Sequence, residues 1–303
     1  MFEKFVTTFL DEKLGKLAEF EPLAKHTTLR VGGPARVFVW PSDKKALVQV
    51  VKLVRELGLK FKVLGKGSNI LISDDVFEGV VIQTDKALGN INIEDTLVTA
   101  GAGVTDVKLA RQVAKLGLSG LEFLSGVPGT IGGAVYMNAG AYLRETSDIL
   151  VRAQIINEKS ELVWLEKEEL GFSYRTSIFQ QKPEWIVVEA VFALKHGNRD
   201  EILATIKKRK EKRVISQPLE LPSAGSTFRN PEGHSAWELI ADTGLRGYTV
   251  GGAKISDKHA NFVVNVDDAT AQDVADVIAH VKKTIGEKKG LEIREEVELF
   301  NWK

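Results

Sequence analysis

Three glycine clusters lie between residues 65 and 134: Gly65-Lys-Gly-Ser-Asn69, Gly101-Ala-Gly103 and Gly126-Val-Pro-Gly-Thr-Ile-Gly-Gly-Ala134. Glycine loses more conformational freedom on folding than any other residue, so clusters of it mark sharp turns or close approaches. Each cluster here follows an apolar, strand-like run. Backbone free of side chains can present its N–H groups as a nest for phosphate oxygens. Three ordinary turns are the competing reading, which accounts for one cluster more readily than for three. Gly65-Lys-Gly-Ser lacks the third glycine of G-x-G-x-x-G, and no Walker A pattern occurs. The spacing points to a phosphate-bearing cofactor held outside the Rossmann fingerprint.

The rest of the chain alternates between helical and strand periods. Residues 1–20 read as an amphipathic helix, with Glu3, Lys4, Asp11, Glu12 and Lys13 where a signal peptide needs an apolar core. A strand at 36–40 leads through Pro41-Ser42-Asp43 into a helix at 44–57, whose Leu47, Val50, Val51 and Val54 share a face. Further strands are expected at 61–64, 79–83 and 97–100, and a helix at 104–116 closed by Gly117. Two strands around Asn157-Glu-Lys-Ser160 read as a hairpin, and 185–194 is the most strongly β-forming run. Helices near 200–213, 236–243 and 271–289 follow, with strands near 262–266 and 296–300. The class is α+β, not a repeated βαβ array. A boundary is expected near 195–200, giving an N-terminal helical segment (1–25), a cofactor part (26–196) and a C-terminal part (197–303).

Composition narrows the chemistry. Length 303 is about two domains, since single cores seldom outgrow roughly 250–300 residues. Lys+Arg and Asp+Glu balance at 41 each, so the global field of a nucleic-acid binder is missing. There is no cysteine, which excludes disulfides, thiolate metal sites and cysteine nucleophiles. No run approaches the roughly 18–20 apolar residues of a membrane span. A soluble, cytoplasmic protein that binds neither nucleic acid nor membrane is expected, with no metal site.

Five strings, in order, then resemble one family. They are GKGSNILISDDVFEGVVI (65–82), GLEFLSGVPGTIGGAVYMNAGAY (120–142), FSYRTS (172–177), LPSAGSTFRNP (221–231) and KISDKHANFVVN (254–265). Together they resemble the UDP-N-acetylenolpyruvoylglucosamine reductases over about 26–298. The direct passage from Tyr136 to Tyr142 is similar to the family's shorter, type II form. The resemblance implies two FAD-binding subdomains of the vanillyl-alcohol-oxidase (PCMH) type and a C-terminal α+β substrate-binding domain. It implies noncovalent FAD, reduced by NADPH, and reduction of the enolpyruvyl ether of UDP-N-acetylglucosamine to UDP-N-acetylmuramate for peptidoglycan synthesis.

Adding hydride to the outer vinyl carbon leaves charge on its neighbour, delocalised into the carboxylate. Fixed positive charge or donors around that carboxylate, and a proton source for the carbon, are therefore needed. The resemblance assigns the proton to Ser226, in Ala-Gly-Ser-Thr-Phe, and the cation to Arg175, in Phe-Ser-Tyr-Arg-Thr-Ser. An ordinary loop serine and a surface ion pair are the competing readings. Glu295, Glu296 and Glu298 crowd together, and strand alternation puts Glu296 and Glu298 on one face. The motif selects Glu296, which as a protonated acid would help hold the carboxylate without repelling it. For FAD the resemblance implies Gly65, Gly67, Ser68 and Asn69 at the pyrophosphate, and Gly126, Pro128, Gly129, Thr130, Gly132 and Gly133 beneath the flavin. Tyr174, Arg229 and Asn230 become substrate contacts, although a buried core tyrosine is the alternative for Tyr174. Lys258 and His259 match a segment near the active site without assigned roles.

Two departures stand out. Leu143-Arg144 interrupt a turn where the family commonly has glycine, and Asn261 replaces a typical glycine, tolerable if the backbone is left-handed there. The basic run 207–213 reads as a solvated helix face, or as an attractor for NADPH or the UDP-sugar. Another flavin oxidase and a non-catalytic sensor are the rival functions. The Ser226, Arg175 and Glu296 constellation disfavours both.

Overall fold

The computed structural model describes residues 1–302. It contains seven α-helices among the described residues: α1 (Phe2–Asp11), α2 (Lys44–Glu56), α3 (Asp106–Lys115), α4 (Ile131–Tyr136), α5 (Arg199–Ser216), α6 (Ala236–Asp242) and α7 (Ala271–Lys289). Helix α1 stops earlier than the amphipathic pattern suggested. Lys13 takes φ +54° and Gly15 φ +149°, and the chain continues as a strand, Gly15–Pro22. A side chain at Gly15 would put Cβ 2.1 Å from the carbonyl oxygen of Trp40. The expected N-terminal helical segment is thus helix, strand and a 3₁₀ turn (Leu23–His26).

The chain divides into two compact units, each assembled from three segments. The first comprises Met1–Glu19, Val37–Lys66 and Glu78–Glu211. Its larger sheet is antiparallel, in the order Leu162–Glu166, Leu150–Ile156, Ile186–Ala193, Leu97–Gly101 and Ile91–Glu94. The valines and isoleucine of Ile186–Ala193 make it the central strand, as its composition requires. A second sheet runs in the order Gly15–Pro22, Pro34–Pro41, Phe77–Gln83 and Phe61–Leu64, the last two parallel. Asp43 caps α2 by accepting from Ala46 N at 2.9 Å, an interaction that contributes about 0.5–2 kcal/mol. The apolar face of α2 buries Leu47, Val50, Val51 and Val54 against Phe5, Phe9 and the sheets. The 157–160 hairpin forms through the Asn157 carboxamide, which accepts from Lys159 N and Glu161 N.

The second unit comprises Phe20–Arg36, Gly67–Phe77 and Lys212–Lys303. Named side chains tie its two early segments to the later one. Thr28 Oγ1 donates to Ser223 O at 2.7 Å, and Asn265 Nδ2 donates to Leu29 O. Asp74 accepts from Ala271 N and Gln272 N at the start of α7. The strand Glu298–Phe300 pairs in parallel with Ile70–Ile72. A small antiparallel sheet, Thr249–Val250, Ala253–Ile255 and Val263–Asn265, packs against α7 around Val274, Val277, Ile278 and Val281. Helix α7 has a reciprocal capping box between Thr270 and Asp273 and ends at Gly290, φ +66°. No described helix is long and apolar enough to cross a membrane.

Candidate active site

In the first unit the glycine clusters meet. Ile131 N donates to Val104 O, Gly132 N to Ala102 O, and Asp106 N to Gly129 O, so the 126–134 loop is stitched along 102–106. The stitching leaves no room for side chains. A Cβ at Gly132 would lie 2.9 Å from Ala102 Cβ, and one at Gly129 2.4 Å from Asp106 Oδ2. Gly65 joins the same cradle, its Cβ position only 2.7 Å from Thr130 Oγ1. Thr130 caps α4, accepting from Gly133 N. Beside Gly133 there is space: only Thr130 Oγ1, at 3.7 Å, would approach a Cβ there.

Asp106 is the anomaly of this cradle. It is 1% exposed, and neither carboxyl oxygen has a hydrogen-bond partner. Burial pushes its carboxyl well above the usual carboxylate range. An unpaired charge in such a place is costly enough that the group stays protonated. Nothing in the sequence singled it out, because an acid in the first turn of a helix is ordinary.

Arg175 sits at the third position of a tight turn closed by reciprocal Ser173–Thr176 backbone bonds. Its φ is +55°, a region that non-glycine residues avoid. Arg175 Nη2 donates to Gly140 O at 2.8 Å, and its guanidinium lies 5.0 Å from the Tyr174 ring centre. Tyr174 is 46% exposed, which removes the core-tyrosine alternative.

The second unit gathers the other polar candidates. Thr227 O accepts from Glu296 N at 2.8 Å, and Arg229 N donates to Arg294 O, so the Ser226 segment runs beside the Glu296 segment. On its other side Asn261 clamps Phe228, accepting from Phe228 N and donating to Phe228 O. Asn261 is not among the left-handed residues. The glycine replacement there is explained by this two-point bond, not by backbone geometry. Gly225, next to Ser226, has φ +77°, and no atom lies within 4 Å of a Cβ built on it. Glu296 lies just before the strand, which begins at Glu298. Glu295 is engaged by Lys282 Nζ at 2.7 Å.

Gly67, φ +59°, packs against His26 O, where a Cβ would lie at 2.1 Å. Asn69 Nδ2 donates to Glu296 O. Asn230 accepts from Ala236 N at the start of α6, and the Arg229 Nε is buried without a partner. Lys258 donates to Val214 O at 2.7 Å. His259 accepts from Asn261 N through Nδ1; burial, then the charge of Arg246, holds it below the usual histidine range.

Residues 217–300 match the C-terminal domain of UDP-N-acetylenolpyruvoylglucosamine reductase, and residues 35–166 match an FAD binding domain. A protein of that reductase name from Anoxybacillus flavithermus is 46% identical over 301 residues, covering 99% of this chain and 100% of its own. The chain belongs to the UDP-N-acetylenolpyruvoylglucosamine reductase family. A Bacillus subtilis reductase is 44% identical over 298 residues, with 98% of each chain covered. The crystal structure of the Thermus caldophilus UDP-N-acetylenolpyruvylglucosamine reductase superposes with TM-score 0.78 at 34% identity, over 94% of this chain and 98% of that one. Membership makes the protein an α+β flavoenzyme with an FAD-binding domain and a reductase C-terminal domain.

The residues present fit FAD. The first unit supplies a side-chain-free cradle with open space over Gly133, and the Thr130 hydroxyl lies at its edge. Gly65, residues 102–106 and residues 129–133, all in or beside the glycine clusters of the sequence, line this cradle. No sequence motif points to Asp106 or to the Asn138 and Gln180 side chains around the Arg175 turn.

Proposed function

We propose that the chain is a cytoplasmic UDP-N-acetylmuramate dehydrogenase. It takes electrons from NADPH and reduces UDP-N-acetyl-3-O-(1-carboxyvinyl)-glucosamine to UDP-N-acetylmuramate, a peptidoglycan precursor. In this reading 26–196 is the cofactor part and 197–303 the substrate part. Gly65, Gly67, Ser68, Asn69, Gly126, Pro128, Gly129, Thr130, Gly132 and Gly133 hold FAD. FAD held by these residues would supply the hydride, drawn from NADPH, that the outer vinyl carbon receives.

The protein handles what that delivery leaves behind. Arg175 faces the carboxylate into which the charge spreads, a task suited to a group that is always charged and offers a planar donor fork. Glu296 helps hold the same carboxylate. Ser226 Oγ–H gives its proton to the carbon bearing the carboxylate, completing addition across the double bond, and the serine is reprotonated from water. A neutral hydroxyl is a weak acid, but an enolate carbon is basic enough to take its proton when the geometry is fixed. Tyr174, Arg229 and Asn230 bind the UDP-sugar.

The observation that supports this reading is the Thr227–Glu296 backbone bond at 2.8 Å, by which the Ser226 segment runs beside the Glu296 segment. The test is loss of NADPH absorbance dependent on the enolpyruvyl UDP-sugar. Wild type is expected to turn over and Ser226→Ala to lose at least about 100-fold, the usual scale of a lost acid. Absence of substrate-dependent oxidation overturns the proposal.

A further inference from the structure

Arg175 stands in a left-handed conformation that its own side chain does nothing to favour. Non-glycine residues keep such geometry only where the surroundings over-determine it. The surroundings here are specific. Gln180 Nε2 donates to Arg175 O at 3.0 Å and also approaches Met137 Sδ at 3.5 Å. Asn138, fully buried and itself at φ +44°, donates from Nδ2 to Ser173 O at 3.0 Å and accepts from Ser147 N at 3.0 Å. Ser177 Oγ donates to Tyr136 O at 2.6 Å. Segments 136–140 and 173–180 are therefore laced together by two side-chain amides and a serine hydroxyl, and Gly140 O meets Arg175 Nη2 at the end of that lacing.

We infer that Gln180 and Asn138 are positioning residues for Arg175: their carboxamides fix the left-handed turn from both ends and aim the guanidinium at the substrate carboxylate. The inference rests on the function proposed above. Gln180 is the more telling of the two, because its donor goes to the carbonyl of Arg175 itself. A methionine there keeps the length and the sulfur contact but removes the donor. The turn can then relax toward ordinary φ, and the guanidinium leaves its bond to Gly140 O.

The experiment is a double-mutant cycle in the full-length, FAD-loaded protein. Gln180→Met is expected to lower kcat with the enolpyruvyl UDP-sugar about 10-fold, since small misplacements of reacting groups have such effects. It is expected to leave the rate at which NADPH alone bleaches the bound flavin unchanged within twofold. In an Arg175→Ala background, Gln180→Met is expected to cost nothing further, because a group that acts only through Arg175 is silent without it. Asn138→Asp, which keeps the acceptor for Ser147 N and loses the donor to Ser173 O, is expected to follow the same pattern. Wild-type kcat in Gln180→Met, or an equal loss in both backgrounds, or equal slowing of both half-reactions overturns the inference while leaving the proposed function standing. A wild type that does not turn over the UDP-sugar overturns both.

Discussion

The side-chain amide of Asn69 donates to the backbone carbonyl of Glu296 at 3.1 Å, and Glu298 N returns a bond to Asn69 O at 3.0 Å. A residue from the first glycine turn thus fixes the height of the acid that the family motif selects. Asn69→Ala is expected to lower stability by about 0.5–1.5 kcal/mol, the net worth of one such bond. It is also expected to slow turnover of the UDP-sugar. A denaturant melt and steady-state kinetics check the two effects separately. Unchanged kcat with lowered stability would show that the bond holds the fold but not the acid.

Glu296→Gln keeps the shape of the side chain and changes its protonation chemistry. The expected outcome is slower reoxidation of the flavin by the enolpyruvyl substrate, with reduction by NADPH spared. Stopped-flow absorbance reads each half-reaction. Equal slowing of both contradicts the assigned role.

Asp106 gives a pH signature. Its carboxyl is raised by burial, so across the interval above the ordinary carboxylate range, near pH 4, the folded chain retains a proton that the unfolded chain has released. The folded state binds more protons there, so this group makes stability fall as pH rises, until its folded-state titration is passed. Asp106→Asn removes this titrating group. The variant's melting advantage over wild type is expected to grow by up to about 1.4 kcal/mol per pH unit through that interval. Parallel melting curves at every pH between 4 and 8 would refute the protonated assignment.

Arg229 carries a buried Nε without a partner, beside a backbone fixed to Arg294 O. Arg229→Ala is expected to raise KM for the UDP-sugar about 10-fold or more, the scale of a lost charge-assisted contact. The rate of flavin reduction by NADPH is expected to stay near wild type. Isothermal titration with UDP-N-acetylmuramate offers a check independent of turnover, and wild-type affinity would remove Arg229 from the substrate site.

Much of this was readable in advance, for identifiable reasons. The helix over 44–56 carries its apolar face and its Asp43 cap in plain view, and the glycine clusters marked the cradle because close packing admits no other residue. The first helix ends before the sequence pattern does, because 13–20 keeps mixed polarity in either period, while the close approach of Gly15 to Trp40 O is a tertiary fact. From sequence Asn261 is only a mild replacement of glycine, tolerable in left-handed backbone, whereas the structure gives it a pair of bonds to Phe228, 33 residues away. Gln180 and Asn138 were invisible for the same reason. A carboxamide's importance lies in which carbonyl it reaches, and periodicity carries no information on that.

The central claim is most directly tested by turnover with NADPH and the enolpyruvyl UDP-sugar in deuterated water, followed by mass and NMR analysis of the product. The account expects UDP-N-acetylmuramate with solvent deuterium on the lactyl carbon that bears the carboxylate, formed by wild type and not by Ser226→Ala. Undiminished product formation by Ser226→Ala, or none by the yellow wild-type protein, would contradict it.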